Sequence, residues 1–154
     1  KWQGYIGSVT ANLFLGSGLF NFAKAKNLGI QVGFGTDIGG GTSFSVMTTM
    51  AEAYKVCQLQ KYALSPWEAY YQATLGGAKA LSCDQETGNF RSGKFADFIA
   101  IDLAPTELAG ELVSQKKDIW EKLFLLNTLA DDRAIKATYV QGVAQYEKEK
   151  CLSA

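Results

Sequence analysis

Apolar positions along the chain change period several times, and each change marks an element. Residues 5–12 read as a short strand running into a polar loop, weakened by its small residues. From Leu13 to Lys26, Leu15, Leu19, Phe22 and Ala23 fall at helical spacings, with Gly16 and Gly18 delaying the regular helix. Asn27-Leu28-Gly29 supplies a stop. Ile30-Gln31-Val32-Gly33-Phe34-Gly35 predicts a second short strand whose glycines allow close backbone packing, and it delivers Thr36-Asp37 to the strand end. A flexible run, Gly39-Gly40-Gly41-Thr42-Ser43, leads into residues 44–62. There Val46, Met47, Met50, Ala53, Tyr54 and Cys57 share one helical face. Ser65-Pro66-Trp67-Glu68 carries a capping serine, a proline suited to the first turn and the glutamate of a capping box. A second helix follows through Leu81, loosened at Gly76-Gly77.

Past Gly88 the pattern turns from helical to extended. Turn residues 88–94 precede a strand over 96–102, rich in β-branched and aromatic side chains. The polar stretch from Leu103 to Asp118, with Pro105 and Gly110, predicts no regular element. Residues 119–129 read as an amphipathic helix, 135–140 as a strand, and Gln141-Gly142 as a turn. Glu147-Lys148-Glu149-Lys150 reads as a frayed surface tail, or as a contact for a second subunit. No unit of solenoid length repeats, so the expected organisation is an α/β piece followed by a smaller β element.

At 154 residues and 47% hydrophobic composition the chain can bury a core. Fifteen basic residues balance 15 acidic ones, so no excess positive charge marks a nucleic-acid surface. Cys57, Cys83 and Cys151 lie too far apart for a thiolate zinc site or a disulfide framework and read as reduced thiols. The start resembles no export signal, and no apolar run is long enough for a bilayer, which leads us to expect a soluble cytoplasmic protein. Histidine is absent. Chemistry that needs imidazole must therefore draw on residues outside this sequence.

Asp37 is the strongest chemical candidate. It follows a buried strand and precedes a glycine run and a long helix, the position at which α/β barrels hold catalytic groups. An aspartate before glycines is also an ordinary turn or helix cap, and local spacing leaves both open. Gly39, Gly40 and Gly41 lack the lysine of a phosphate loop; they let the Asp37 loop approach a ligand closely, serve a tight connection, or do both. Trp67, Tyr70 and Tyr71 read as core or interface residues rather than a base-stacking platform. Asp97, Asp102 and the Asp131-Asp132-Arg133 cluster lack metal-ligand geometry, the last reading as an ion network at a turn or helix end.

Several segments together resemble guanine deaminases of the amidohydrolase superfamily. They are Asn12-Leu13-Phe14-Leu15-Gly16-Ser17-Gly18-Leu19-Phe20, Gly35-Thr36-Asp37-Ile38-Gly39-Gly40-Gly41-Thr42, Glu52-Ala53-Tyr54-Lys55-Val56, Ala73-Thr74-Leu75-Gly76-Gly77-Ala78-Lys79-Ala80-Leu81, Gly88-Asn89-Phe90 with Gly93-Lys94-Phe95-Ala96-Asp97-Phe98, and Asp131-Asp132-Arg133. The Gly-Lys-x-Ala-Asp stretch by itself marks only the wider superfamily. Ser8-Val9-Thr10-Ala11-Asn12 aligns with a family segment written Cys-Pro-Thr-Ser-Asn, keeping the threonine and asparagine and departing at three positions. Asn12 helps organise the pocket on one reading and is a helix cap or turn on the other.

The resemblance implies a metal-dependent (β/α)8 TIM-like barrel with an adjoining small β-sandwich. Residues 1–82 would supply the last barrel elements, and residues 83–154 the C-terminal contribution to the sandwich with its adjoining helices. It further implies hydrolysis of guanine to xanthine and ammonia by a complete, cytoplasmic and dimeric enzyme. Asp37 would be both zinc ligand and catalytic group, acting on the attacking water. The metal-binding histidines and a proton-transferring glutamate would come from an N-terminal portion outside this sequence, leaving these 154 residues inactive alone. Open alternatives are another purine, a pterin or another heterocycle as substrate, or an inactive assembly domain if the chain begins at Lys1.

Overall fold

The computed structural model describes residues 4–148. Strand β1 (Gly4–Gly7) is followed by helices α1 (Val9–Phe14) and α2 (Phe22–Asn27), and β2 (Gln31–Phe34) then pairs with β1 in parallel. Helices α3 (Val46–Leu59), α4 (Pro66–Ala73) and α5 (Leu75–Ala80) come next. The remainder comprises β3 (Phe98–Ile101), α6 (Glu107–Ser114), α7 (Ile119–Leu129), a 3-10 turn at Asp132–Ala134, β4 (Ile135–Val140) and β5 (Val143–Glu147). The last three strands form an antiparallel sheet in the order β3-β4-β5.

The core lies between β2 and its helices. Val32, Phe34, Phe22, Met50, Ala53, Val56, Leu64 and Ala69 form one buried cluster. Val32, Gly33 and Phe34 are consecutively buried, as expected for a parallel strand covered on both faces. Gly33 meets α5 so closely that a Cβ there would sit 2.6 Å from Gly77 Cα, which bears out the close backbone packing expected of this strand.

Several predicted boundaries move. The short strand expected within 5–12 ends at Gly7, and in place of the polar loop expected after it Val9, Thr10 and Ala11 form the buried face of α1. The helix expected from Leu13 to Lys26 is interrupted. Gly16 (φ 67°) and Gly18 (φ 102°) take left-handed backbone that a helix cannot hold, and α2 restarts where Asn21 accepts a hydrogen bond from Lys24 N. The capping box at Ser65 is present, but its helix breaks at Thr74, two residues before the expected loosening, and Gly77 of α5 lies against β2.

Helix α6, absent from the sequence expectation, starts where Thr106 accepts from Ala109 N. The expected charged tail is partly strand. Gln141 (φ 51°) and Gly142 (φ 78°) make a tight hairpin turn, Glu147 ends β5, and Lys148 N donates to Lys136 O; Glu149 and Lys150 lie outside the described residues. Among the described residues no helix is long and apolar enough to cross a membrane.

Candidate active site

The parallel register brings two strand ends together. Gly7 pairs with Phe34, and Gly35 N donates to Gly7 O at 3.2 Å, so the segments following β1 and β2 leave the sheet side by side at its C-terminal edge. From β1 come Ser8 and Thr10; from β2 come Thr36 and Asp37.

Asp37 is exposed at this edge, with left-handed backbone (φ 48°). Its carbonyl accepts from Gly41 N at 2.5 Å, closing a tight loop, and Ile38 bridges to Gly41. A Cβ at Gly40 would lie 3.1 Å from the Asp37 carboxylate, and one at Gly41 would collide with the Thr36 carbonyl. The glycines thus close a tight turn, as one of the sequence readings expected, and place no side chain against the carboxylate. Among the described residues that carboxylate forms no salt bridge and accepts no hydrogen bond.

Asp37 is therefore suited to be one ligand of a cation, a hard anionic oxygen free to coordinate. It is not a whole site, since the described residues bring together no group of three His, Cys, Asp or Glu side chains able to hold a metal. Asn12 lies within α1, where its backbone N donates to Ser8 O; it is not that helix's N-cap. Thr10, Leu13, Phe14, Thr42, Thr48 and Glu52 line an open depression where α1 meets the Asp37 loop and α3.

The other singled-out residues have structural partners. Trp67 meets Trp120 edge-on at 5.4 Å, joining α4 to α7, and burial pushes the Tyr70 hydroxyl up to about 12. Tyr71 lies beneath the Lys79 ammonium, 5.8 Å from the ring centre. Asp97 accepts from Gln141 N at 2.8 Å and from Thr87 Oγ1 at 2.9 Å, tying the 83–97 loop to the β4–β5 turn. Asp102 accepts from Ala104 N. Asp131 caps the 3-10 turn and pairs with Arg133 at 2.8 Å; hydrogen bonding to that guanidinium holds its carboxyl below the ordinary value. Cys57 and Cys83 are free thiols, and burial raises Cys57 to about 11.

Parallel strands linked by helices, with a carboxylate on a glycine-lined loop at their C-terminal edge, define an α/β domain of the kind that carries its chemistry at strand ends. The model of the amidohydrolase family matches residues 6–144, and the chain belongs to that family. The guanine deaminase of Escherichia coli (strain K12) is 51% identical over 139 residues, covering 90% of this chain and 32% of the relative. The solved E. coli guanine deaminase structure superposes with a TM-score of 0.93 at 48% identity, covering 96% of this chain and 34% of that one. The guanine deaminase from C. acetobutylicum, solved with guanine bound in its active site, gives a TM-score of 0.76 at 30% identity over 92% of this chain and 33% of that one. The motif-level resemblance is borne out, and the chain spans about a third of the length of the relatives it matches.

Proposed function

We propose that this chain is the C-terminal part of a cytoplasmic, zinc-dependent enzyme that hydrolyses guanine to xanthine and ammonia. Residues 1–82 furnish the closing elements of its barrel, and residues 83–154 its share of a small β-sandwich. The observation that carries this reading is Asp37 itself: an exposed carboxylate on a backbone-locked loop at the C-terminal edge of parallel strands, in a chain 51% identical to a guanine deaminase. The β1–β2 pair supports it as well. As a two-stranded parallel sheet it has an unpaired edge on each side among the described residues, which further barrel strands would complete.

Asp37 is the residue of this chain that would hold the metal. When bound, zinc lowers the pKa of water toward about 7. The Asp37 carboxylate orients the attacking water and accepts its proton as the water oxygen bonds to the purine carbon bearing the amine; that proton then goes to the departing nitrogen, which leaves as ammonia. The glycine loop lets the substrate ring approach without meeting side chains.

Asp37→Asn is the discriminating variant, because asparagine tolerates left-handed backbone and removes only the charge and the basic oxygen. Full-length enzyme carrying it should lose about 10²–10⁴-fold in ammonia release from guanine. Ordinary activity in that variant would contradict the assignment, and a substrate panel in which guanine is inert while a pterin or another aminopurine turns over would replace the substrate.

A further inference from the structure

Two buried hydroxyls from the β1 side converge on one backbone atom beside Asp37. Ser8 Oγ donates to Thr36 O at 3.1 Å and Thr10 Oγ1 to the same oxygen at 3.5 Å. Ser8 is 8% exposed and Thr10 4%. Ser8 holds the N-cap position of α1 but makes no side-chain capping bond, so its hydroxyl is given to the neighbouring strand end instead of its own helix. Thr10 lies inside α1, where a threonine hydroxyl commonly bonds back within its helix, and it too turns to Thr36.

The Thr36 carbonyl and the Asp37 amide belong to one rigid peptide plane. Holding that carbonyl orients the bond from which Asp37 begins, and Asp37 takes left-handed backbone (φ 48°), a conformation aspartate tolerates as a single residue. Its other side is held by the bond from Gly41 N to Asp37 O. The loop is thus pinned on both flanks while the carboxylate between them is left free.

We propose that Ser8 and Thr10 are positioning residues for Asp37, fixing the direction of its carboxylate through the Thr36 carbonyl; this rests on the reading of Asp37 as metal ligand and proton acceptor. Both hydroxyls act through the Thr36 carbonyl and the backbone of Asp37. Their effect falls on kcat and on metal retention, and KM for guanine stays nearly unchanged.

The test uses zinc-loaded full-length enzyme and compares wild type, Ser8→Ala, Thr10→Val, the double variant, the graded variants Ser8→Cys and Thr10→Ser, and Asp37→Asn. Steady-state kinetics, the rate of zinc loss to a chelator and the thermal midpoint are measured for each. The double variant should lose about 10–100-fold in kcat with KM held within about twofold, and should lose zinc faster than wild type. Thr10→Ser keeps the hydroxyl and should recover most of what Thr10→Val loses, while Ser8→Cys, a weak donor, should fall between serine and alanine.

A lowered thermal midpoint with unchanged kcat and zinc retention overturns the proposal, reducing the two hydroxyls to packing. If the double variant fails to fold, equal kcat and zinc loss in Thr10→Val and Thr10→Ser overturn it. Should Asp37→Asn keep wild-type turnover and zinc, the underlying reading falls and takes the proposal with it. An inactive Asp37→Asn beside a double variant with unchanged kcat and zinc loss overturns the positioning role alone.

Discussion

Gly41 sits with its amide bonded to Asp37 O and its α-carbon against the Thr36 carbonyl, so even one methyl group must displace the loop that presents the carboxylate. A displacement of about 1 Å at a reacting group can cost about 10²-fold in rate. Gly41→Ala should therefore lower kcat for guanine by about that factor in the full-length enzyme, as read by ammonia release. Near-normal kcat would mean that the loop can relax without moving Asp37. Gly39 differs: it needs its freedom for its positive φ of 111°, and a Cβ there would meet nothing within 4 Å. The sequence marks both as loop glycines, and only the backbone geometry separates their duties.

At the scale of elements, α2 is fastened to the start of α4 by Lys26, Tyr62 and Glu68. Lys26 Nζ donates to Glu68 Oε1 at 2.5 Å and to Tyr62 OH at 3.1 Å, and Tyr62 OH donates to the same carboxylate oxygen at 2.7 Å. Burial by itself would raise the Glu68 carboxyl, but the bonds from Lys26, Tyr62 and the Ser65 amide outweigh it and hold the group below its ordinary value. The bond to Glu68 raises Lys26 in turn. A carboxylate lowered on folding stabilises fully above its unfolded pKa, and that contribution disappears as pH falls through the lowered value. A raised lysine stabilises fully below its unfolded pKa and loses its contribution as pH rises through the raised one. With Lys26 largely in solvent, Glu68→Gln should cost about 0.2–1 kcal/mol at neutral pH. In thermal melts from neutral to acid pH the difference between wild type and variant should shrink as Glu68 protonates; a constant difference would show that charge contributes nothing there. The capping half of this cluster was legible in the sequence, because Ser65 and Glu68 are three residues apart. Lys26 was not, because it arrives from 42 positions away.

At the scale of the whole molecule, large apolar side chains stand exposed among the described residues. Phe44 is 82% exposed, Phe90 84% and Leu59 74%, and the parallel strand pair offers open edges as well. The 154 residues expressed alone should associate or aggregate, bind a dye that reports exposed apolar surface, and show no guanine hydrolysis above background, where the full-length protein should be active. A monodisperse, cooperatively melting monomer in light scattering and calorimetry would contradict this. The α/β class, the strand before Asp37 and the extended segments that form β3 and β4 were anticipated; the direction of their pairing was not. The second hairpin strand was not anticipated, because Val143–Glu147 is exposed along its length and runs directly into the charged residues read as a tail.

What the sequence by itself determined is whatever its neighbours in the chain can enforce. The shared face of α3, the capping box of α4, the turn at Gln141-Gly142 and the delivery of Asp37 to a strand end all rest on residues within a few positions of one another. The tertiary structure alone decided where α4 gives way to α5 and which hydroxyls hold the Thr36 carbonyl. The first depends on Gly77 of α5 meeting Gly33, and the second on partners 28 and 26 positions distant. Local order is written in short-range sterics and hydrogen bonds, whereas the direction in which one carboxylate points is settled only when two strand ends meet.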